Sequence, residues 1–593
     1  MFCSNYSPNT HSDYVRLLLK NVPNIDEAIA PQGRRLLEDK YLQKGETVAE
    51  RLAHACVAFS SDYHHAKSLA IALSKGWFMF ATPLLSNSGT NRGLPISCFL
   101  NKVDDSREGL ADHYGETLWL STVGGGIGGD WSSVRSAGTM TSNGSETTGI
   151  VPYMKVIDSL ILACKQGLTR KGAYALYLDV DHPEIEEFIE LRTSSSGDLN
   201  RRCLNLHLGV NITDAFMRSV LNDSPWDLID PHTKKVTKTV KARKIWNRII
   251  KLRMSESSEP YLFFQDTANR LSPYPEGDRI HGSNLCTEIM LRTRADRTAV
   301  CCISSLNAEY YDEWKSDHQF FYNINRMLDN ALTVFVEQAP PQLWRAVEAV
   351  KEERSIGVGL MGVHTYLGKK ELRMEDGYSF ILWSMSKGLI KSSQRLGVER
   401  GVPDYVKDAG LNQRNLHVMA VAPNASSSIM LDVSPGIEPY RSNIYTIYQG
   451  DLMFEVVNHE CMEMLRKYYS FTDMPAIVAS IKENGGSIQH LGLPYTEKEI
   501  FKTFSELDQT ALVNNVAAAQ NLVDQGISLN LCFADGADPK KVNEAHITAW
   551  ASGLKSLYYL RRDTSEKIES GGYTPAQQQA CSILNKDECL ACQ

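Results

Sequence analysis

Asn284-Leu285-Cys286-Thr287-Glu288 is the stretch from which this chain is best understood. It sets an amide, a thiol and a carboxylate at alternate positions. On an extended segment the three side chains share one side, because strand side chains repeat every two residues. A hydrogen-bond donor, a sulfur capable of one-electron chemistry and a general base would then face one small substrate. Taken alone, the pentapeptide reads equally well as a buried cysteine in a polar turn beside a surface glutamate, since cysteine is often simply buried. The residues around it decide.

Just downstream, Ala299-Val300-Cys301-Cys302-Ile303 through Asn307 reads as a buried strand bearing thiols. Vicinal cysteines rarely pair with each other, which leaves one of the two to pair elsewhere. Upstream, Gly124–Gly129 is a glycine run that lets backbone approach a ligand closely, with neither Walker nor Rossmann spacing. Asp104-Asp105-Ser106 precedes a helical pattern and reads as an N-cap, and Arg135 follows soon after. Ala81-Thr82-Pro83 to Arg92 is loop chemistry, leading to Ser97 and a short apolar strand that begins near Cys98. Residues 1 to about 80 read as helical, with a polar break at Ser60-Ser61.

Gln166–Gly172 is a glycine-bounded loop before the apolar strand Ala173–Leu178. A helix is expected over Pro183–Leu191, a surface loop over Thr193–Gly197, and a solvated hairpin or helix face over the Lys-rich residues 230–245. Ile356–Gly362 is again strand then glycine. Ala420-Val421-Ala422-Pro423 reads as an apolar strand ending before Asn424-Ala425-Ser426-Ser427-Ser428. Those serines open a helix whose free N–H groups suit a phosphate, or else form an ordinary N-cap. Tyr558-Tyr559 lies in a late apolar strand. From Asp563 the chain is polar and ends in Cys589-Leu590-Ala591-Cys592-Gln593. A Cys-x-x-Cys there lacks the two further ligands of a metal knuckle and reads as a redox dithiol.

The 593 residues exceed one ordinary core and imply several domains or one large barrel with added helices. The balance of 62 basic and 70 acidic residues, a net charge of −8, excludes a basic nucleic-acid footprint. Positive contacts to an anionic ligand must therefore be local. No leader and no apolar run of about 18 residues is present, so a membrane span is not expected and the cytoplasm is. Thirteen scattered cysteines, an odd number, do not form a secreted disulfide framework.

Together, Ala81–Pro83 through Ser97-Cys98, Asn284–Glu288, Val300-Cys301, Pro423–Ser427, Tyr558-Tyr559 and the terminal Cys-x-x-Cys resemble the large catalytic subunit of class I ribonucleotide reductases over nearly the whole chain. The resemblance implies an α/β fold: a ten-stranded barrel of two five-stranded half-barrels over residues 81–562. It also implies a helical region over 1–80 and a flexible redox tail over 563–593. Cys286 would be the transient thiyl, Glu288 the general base and Asn284 the hydroxyl-holding amide. Cys98 and Cys301 would supply two electrons. Cys302 stands where many relatives have Asn, so either thiol of that pair stays a candidate partner of Cys98. Tyr558 and Tyr559 would relay oxidation from a dimetal-containing small subunit, with no cofactor or metal held by this chain. Cys589 and Cys592 would pass electrons from thioredoxin or glutaredoxin. Thr82, Ser97, Gly126, Leu285, Thr287, Pro423, Asn424, Ala425, Ser426 and Ser427 would bind a ribonucleoside diphosphate. Asp105, Ser106 and Arg135 would bind a deoxynucleoside triphosphate or ATP effector at a homodimer interface, signalling through the 166–172 loop.

The short N-terminal region implies a form without the family's ATP-binding module, and hence no dATP shut-off through it. An adenosylcobalamin-dependent reductase is the nearest rival, but it has no need of a tyrosine pair. A glycyl-radical enzyme lacks its C-terminal signature here. A catalytically silent regulatory subunit would not be expected to retain Cys286, Glu288 and the tail dithiol, and a zinc-knuckle interaction protein lacks ligands.

Overall fold

Strands covered on both faces are buried along nearly their whole length, and that is the pattern between residues 98 and 264 of this chain. In the computed structural model, which describes residues 8–563 except 167–169, 194–197, 256 and 450–451, five such strands pair side by side. Cys98–Lys102, Gly126–Asp130, Tyr174–Asp179, His207–Ile212 and Tyr261–Phe264 run parallel in that order. Antiparallel edge strands flank them: Ala299–Cys301 on one side, Ser556–Leu557 on the other.

A second sheet starts immediately after. Ile303–Asn307 pairs parallel with Gly357–Met361 and antiparallel with Phe78–Phe80. Single bridges, Val358 to Met419 and Val421 to Ile527, carry the parallel progression onward. The mixed α/β half-barrel architecture expected from the resemblance is thus present. Its first half is a regular parallel sheet, and part of its second half is held by isolated bridges. The run Ala420–Ala422, expected as a strand, contributes only the Val421 bridge. The neighbouring Val418 and Met419 N–H groups go instead to the Asp524 carboxylate, at 2.7 and 2.9 Å.

Four helices, Pro8–Asn21, Pro31–Lys40, Val48–Ala58 and Tyr63–Ser74, precede the barrel. The break at Ser60-Ser61 falls between the last two. Thr47 and Glu50 form a capping box at one start, and Asp62 caps the other. One continuous apolar core joins these helices to the strands.

Three local expectations are corrected. Thr82–Asn87 is a short helix rather than a loop, entered through Pro83 in its first turn. The helix expected over Pro183–Leu191 shrinks to Ile185–Phe188. There, His182 bonds the Val134 carbonyl and Glu184 accepts from the Ala137 and Ile150 N–H groups, so the segment's start braces a neighbouring loop. The strand assigned to 299–307 is broken at Cys302 and serves both sheets. The Lys-rich residues do form an exposed hairpin, Pro225–Ile229 with Val236–Lys241, followed by the helix Ala242–Arg253. Residues 167–169 of the expected signalling loop, and 194–197 of the surface loop, lie outside the described residues. No described helix is long and apolar enough to cross a membrane.

Candidate active site

Residues 284–288 are not extended. Leu285 and Cys286 form a turn, and Thr287 has φ +65°, a left-handed conformation that is an outlier for a β-branched residue. The cause is local. Asn284 Oδ1 accepts from the N–H groups of Glu288 and Ile289, at 3.1 and 3.2 Å, and draws the chain round. The alternate-position argument therefore fails as geometry. Asn284 Nδ2 lies 3.4 Å from Cys98 Sγ.

Both halves of the barrel hold this loop. Tyr177 donates to the Asn284 carbonyl at 2.7 Å, Gly526 N–H to that of Glu288 at 2.7 Å, and Ser556 to that of Thr287 at 2.8 Å. The glycine run is part of the same fit. A Cβ on Gly128 would stand 1.9 Å from the Ser283 carbonyl oxygen, so the strand takes the loop against its bare backbone. Gly126 is the register partner of Cys98. Asn284, Leu285, Cys286, Thr287 and Glu288 are all buried.

Cys98 and Cys301 are register partners across the antiparallel pair, and Ser97 N–H donates to the Cys301 carbonyl at 3.3 Å. Burial pushes the Cys301 thiol well up, helped by its hydrogen bond with Cys98 and the charge of Glu288. Cys302 looks elsewhere: its Sγ lies 3.8 Å from the Leu328 carbonyl, on the helix His318–Gln338. Burial pushes that thiol up too. The adjacent thiols thus separate, with Cys301 beside Cys98 and Cys302 against a helix. No disulfide joins the described cysteines.

Tyr558 and Tyr559 occupy the gap between the strands Ser556–Leu557 and Leu560–Asp563, not a continuous strand. The Tyr558 hydroxyl is 3.6 Å from Cys286 Sγ, and the two tyrosine rings are 4.2 Å apart. Cys286 and Tyr558 line an open cleft, together with Pro423, Ala425 and Ser428. Its other walls include Glu438, Arg441, Asn530 and Arg561, polar residues that no sequence motif singled out.

The helix Ala425–Leu431 begins at this cleft. The helix opens among the serines as expected, but the serine N-cap reading does not hold: the cap position is Asn424 at φ +58°, without a capping side-chain bond. Its amide instead bonds Ser305 and the carbonyls of Leu360 and Ala422. Ser426 and Ser427 are buried in the first turn. Thr82 is buried, 2.9 Å from the Tyr41 hydroxyl. Away from the cleft, Asp105 and Arg135 form an ion pair at 2.9 Å, with His232 at 3.2 Å. Ser106 caps the helix Arg107–Thr122 as expected. Cys589 and Cys592 lie outside the described residues.

Comparison with known proteins agrees with this geometry. Residues 96–406 and 401–560 match the family model for the ribonucleotide reductase barrel domain, and residues 28–93 that for its all-alpha domain. The chain is 42% identical over 535 residues to a putative ribonucleoside-diphosphate reductase large subunit of Frog virus 3 (isolate Goorha), covering 88% of this chain and 91% of that one. It is 36% identical over 597 residues to the ribonucleoside-diphosphate reductase large subunit of Invertebrate iridescent virus 3, covering 89% and 93%. Among solved structures, the class Id ribonucleotide reductase alpha subunit of Actinobacillus ureae superposes with a TM-score of 0.78 at 30% identity, covering 92% of this chain and 99% of that one. With thiols, carboxylate and tyrosines meeting inside a barrel that matches in both sequence and shape, the chain belongs to the ribonucleotide reductase large-subunit family.

Proposed function

We propose that the chain is the catalytic subunit that reduces ribonucleoside diphosphates to 2′-deoxyribonucleotides by thiyl-radical chemistry. One observation carries the reading: Cys286 sits on the wall of an open cleft with Tyr558 3.6 Å from its sulfur, while Asn284 reaches the Cys98 sulfur beside Cys301. The Cys286 thiyl takes the 3′ hydrogen of the ribose, and Glu288 takes the 3′-hydroxyl proton. The 2′-hydroxyl leaves as water. Cys98 and Cys301 give up two hydrogens, one to the departing hydroxyl and one to C2′, and become a disulfide, after which Glu288 returns the 3′-hydroxyl proton and Cys286 the 3′ hydrogen, restoring the thiyl. The raised Cys301 thiol suits this, because it stays protonated at neutral pH and acts as a hydrogen donor.

A separate radical-generating small subunit, holding the dimetal centre, supplies the oxidation that enters through Tyr559 and Tyr558. This is why the cobalamin reading is not favoured. Cys589 and Cys592 reduce the disulfide and are renewed by thioredoxin or glutaredoxin. Thr82, Ser97, Gly126, Leu285, Thr287 and residues 423–427 hold the substrate. Asp105, Ser106 and Arg135 bind a dNTP or ATP effector. Exposed apolar residues on the neighbouring helices Arg107–Thr122 and Val151–Ala163 support a homodimer there: Leu118, Trp119, Val156 and Leu162. The reading divides the chain into a helical region (1–80), a barrel (81–562) and a redox tail (563–593), acting in the cytoplasm.

The test is deoxyribonucleotide formation with a cognate small subunit and a dithiol. Cys286→Ala is expected to abolish turnover while nucleotide binding persists. Turnover by that variant at the parent's rate would falsify the reading.

A further inference from the structure

Two successive carbonyls of the Cys286 loop are gripped from opposite halves of the barrel. Ser556 donates to the Thr287 carbonyl at 2.8 Å, from the strand that pairs with Tyr261–Phe264 in the first sheet. Gly526 N–H donates to the Glu288 carbonyl at 2.7 Å, and the Gln525 amide oxygen accepts from the Met290 N–H at 3.2 Å. Residues 525 and 526 lead into Ile527, whose bridge to Val421 belongs to the second half. The grips fall at and just after the left-handed Thr287, so their separation fixes how the loop turns.

Lys555 joins the two. Its carbonyl accepts from the Phe264 N–H at 2.8 Å, at the edge of the first sheet. Its side chain crosses to the other half. There Nζ donates to the carbonyls of Asp524 and Gln525, both at 2.6 Å, and lies 3.4 Å from that of Val523. The Asp524 carboxylate accepts from the N–H groups of Val418, Met419 and Gln525, at 2.7, 2.9 and 2.9 Å. Among the described residues, Asp524 and His417 are the titratable groups that face the ammonium. Lys555 is 1% exposed. Burial pushes its ammonium below the usual range, and Asp524 only partly restores it. A buried charge is costly, and an apolar side chain would fill the same space without that cost. What the ammonium adds is directed bonding, from the strand of one half to consecutive carbonyls of the other. Three residues further on, the Tyr558 hydroxyl stands 3.6 Å from Cys286 Sγ.

We propose that Lys555 is a positioning residue: it sets the spacing of the two grips on the Cys286 loop and so holds Cys286 Sγ at transfer distance from the Tyr558 hydroxyl. The inference rests on the reading of Tyr558 as the inner relay. The step it serves moves one hydrogen atom from Cys286 to the Tyr558 phenoxyl. The S–H bond breaks, an O–H bond forms, and the thiyl remains. Lys555 itself exchanges neither proton nor electron.

The experiment uses the complete enzyme, with small subunit, dithiol and a ribonucleoside diphosphate. Lys555→Met keeps the length of the side chain and removes its donors. Gln520 Nε2 still reaches the Val523 and Gln525 carbonyls, at 3.2 and 3.0 Å, and Asp524 keeps its backbone partners, so the local fold retains support. The variant is expected to lower kcat about a hundredfold, the scale of a misplacement of about 1 Å between reacting groups, with KM within about twofold of the parent. Lys555→Gln, a milder change, is expected to lose about tenfold with the same split. Ser556→Ala removes the grip on Thr287. Because it acts on the same placement, adding it to either Lys555 variant is expected to cost less than the product of the two single losses. A folded Lys555 variant whose turnover matches the parent's overturns the inference. So does a fall in kcat accompanied by an equal rise in KM, which marks a general disturbance of the cleft, and so does a double variant whose losses multiply. Tyr558→Phe tests the underlying reading. If it turns over normally, the relay itself fails. If it is inactive while Lys555→Met is unimpaired, only the positioning role fails.

Discussion

Cys301 and Cys302 are neighbours in the chain and strangers in the structure. Successive side chains of an extended segment point to opposite faces, and here one face carries Cys98 while the other carries the helix His318–Gln338. Adjacent cysteines in a sequence cannot reveal which of them is opposite a third. Cys301→Ala is expected to lower dithiol-supported turnover by at least about a hundredfold, the signature of a group needed only for the chemical step. Cys302→Ala is expected to keep turnover within about twofold, since that thiol faces the helix His318–Gln338 rather than Cys98. Peptide mapping of the oxidised enzyme checks the same assignment, with a Cys98–Cys301 link expected.

At the scale of elements, the loop that carries Cys286 is positioned by its hosts rather than by its own propensity. Its left-handed Thr287 is the kind of strain that persists only when surroundings over-determine it. Those surroundings are the bonds from Tyr177, Gly526 and Ser556 and the bare face of Gly128. Gly128→Ala would press a methyl into the Ser283 carbonyl, so the loop must move. The expected cost is about 1–3 kcal/mol of stability, with a larger proportional loss of turnover. Tyr177→Phe removes one hydrogen bond and keeps the ring, for about 1 kcal/mol. Denaturation midpoints compared with kcat for the two variants test this ordering. Equal activity in Gly128→Ala and the parent would show that the loop does not need that face.

At the scale of the molecule, the ion pair of Asp105 and Arg135 stands near the start of a helix that exposes Leu118 and Trp119 and packs against the next helix, which exposes Val156 and Leu162. Apolar side chains clustered in this way mark an interface more often than a free surface. Trp119→Glu together with Leu162→Glu is expected to weaken self-association about tenfold or more and to blunt the response to effector. Sedimentation velocity measures the first and substrate-preference assays the second. A parent chain that is monomeric at all concentrations would remove this dimer surface.

The sequence by itself determined the class of fold, through its resemblance to a family over nearly the whole chain, and the helical N-terminal region, most strand positions and the cap at Ser106. The last three follow from patterns among residues close in the chain: apolar runs, glycine, a capping serine. Only the tertiary structure decided that Asn284–Glu288 is a turn, that the glycine run receives a loop, and that Cys301 rather than Cys302 adjoins Cys98. It alone brought the Lys555 ammonium to the carbonyls of Asp524 and Gln525. Contacts such as Asn284 to Cys98, 186 residues apart, and Tyr558 to Cys286, 272 apart, arise from strand order and register. Those are set by burial across the whole barrel, which no short window of sequence encodes.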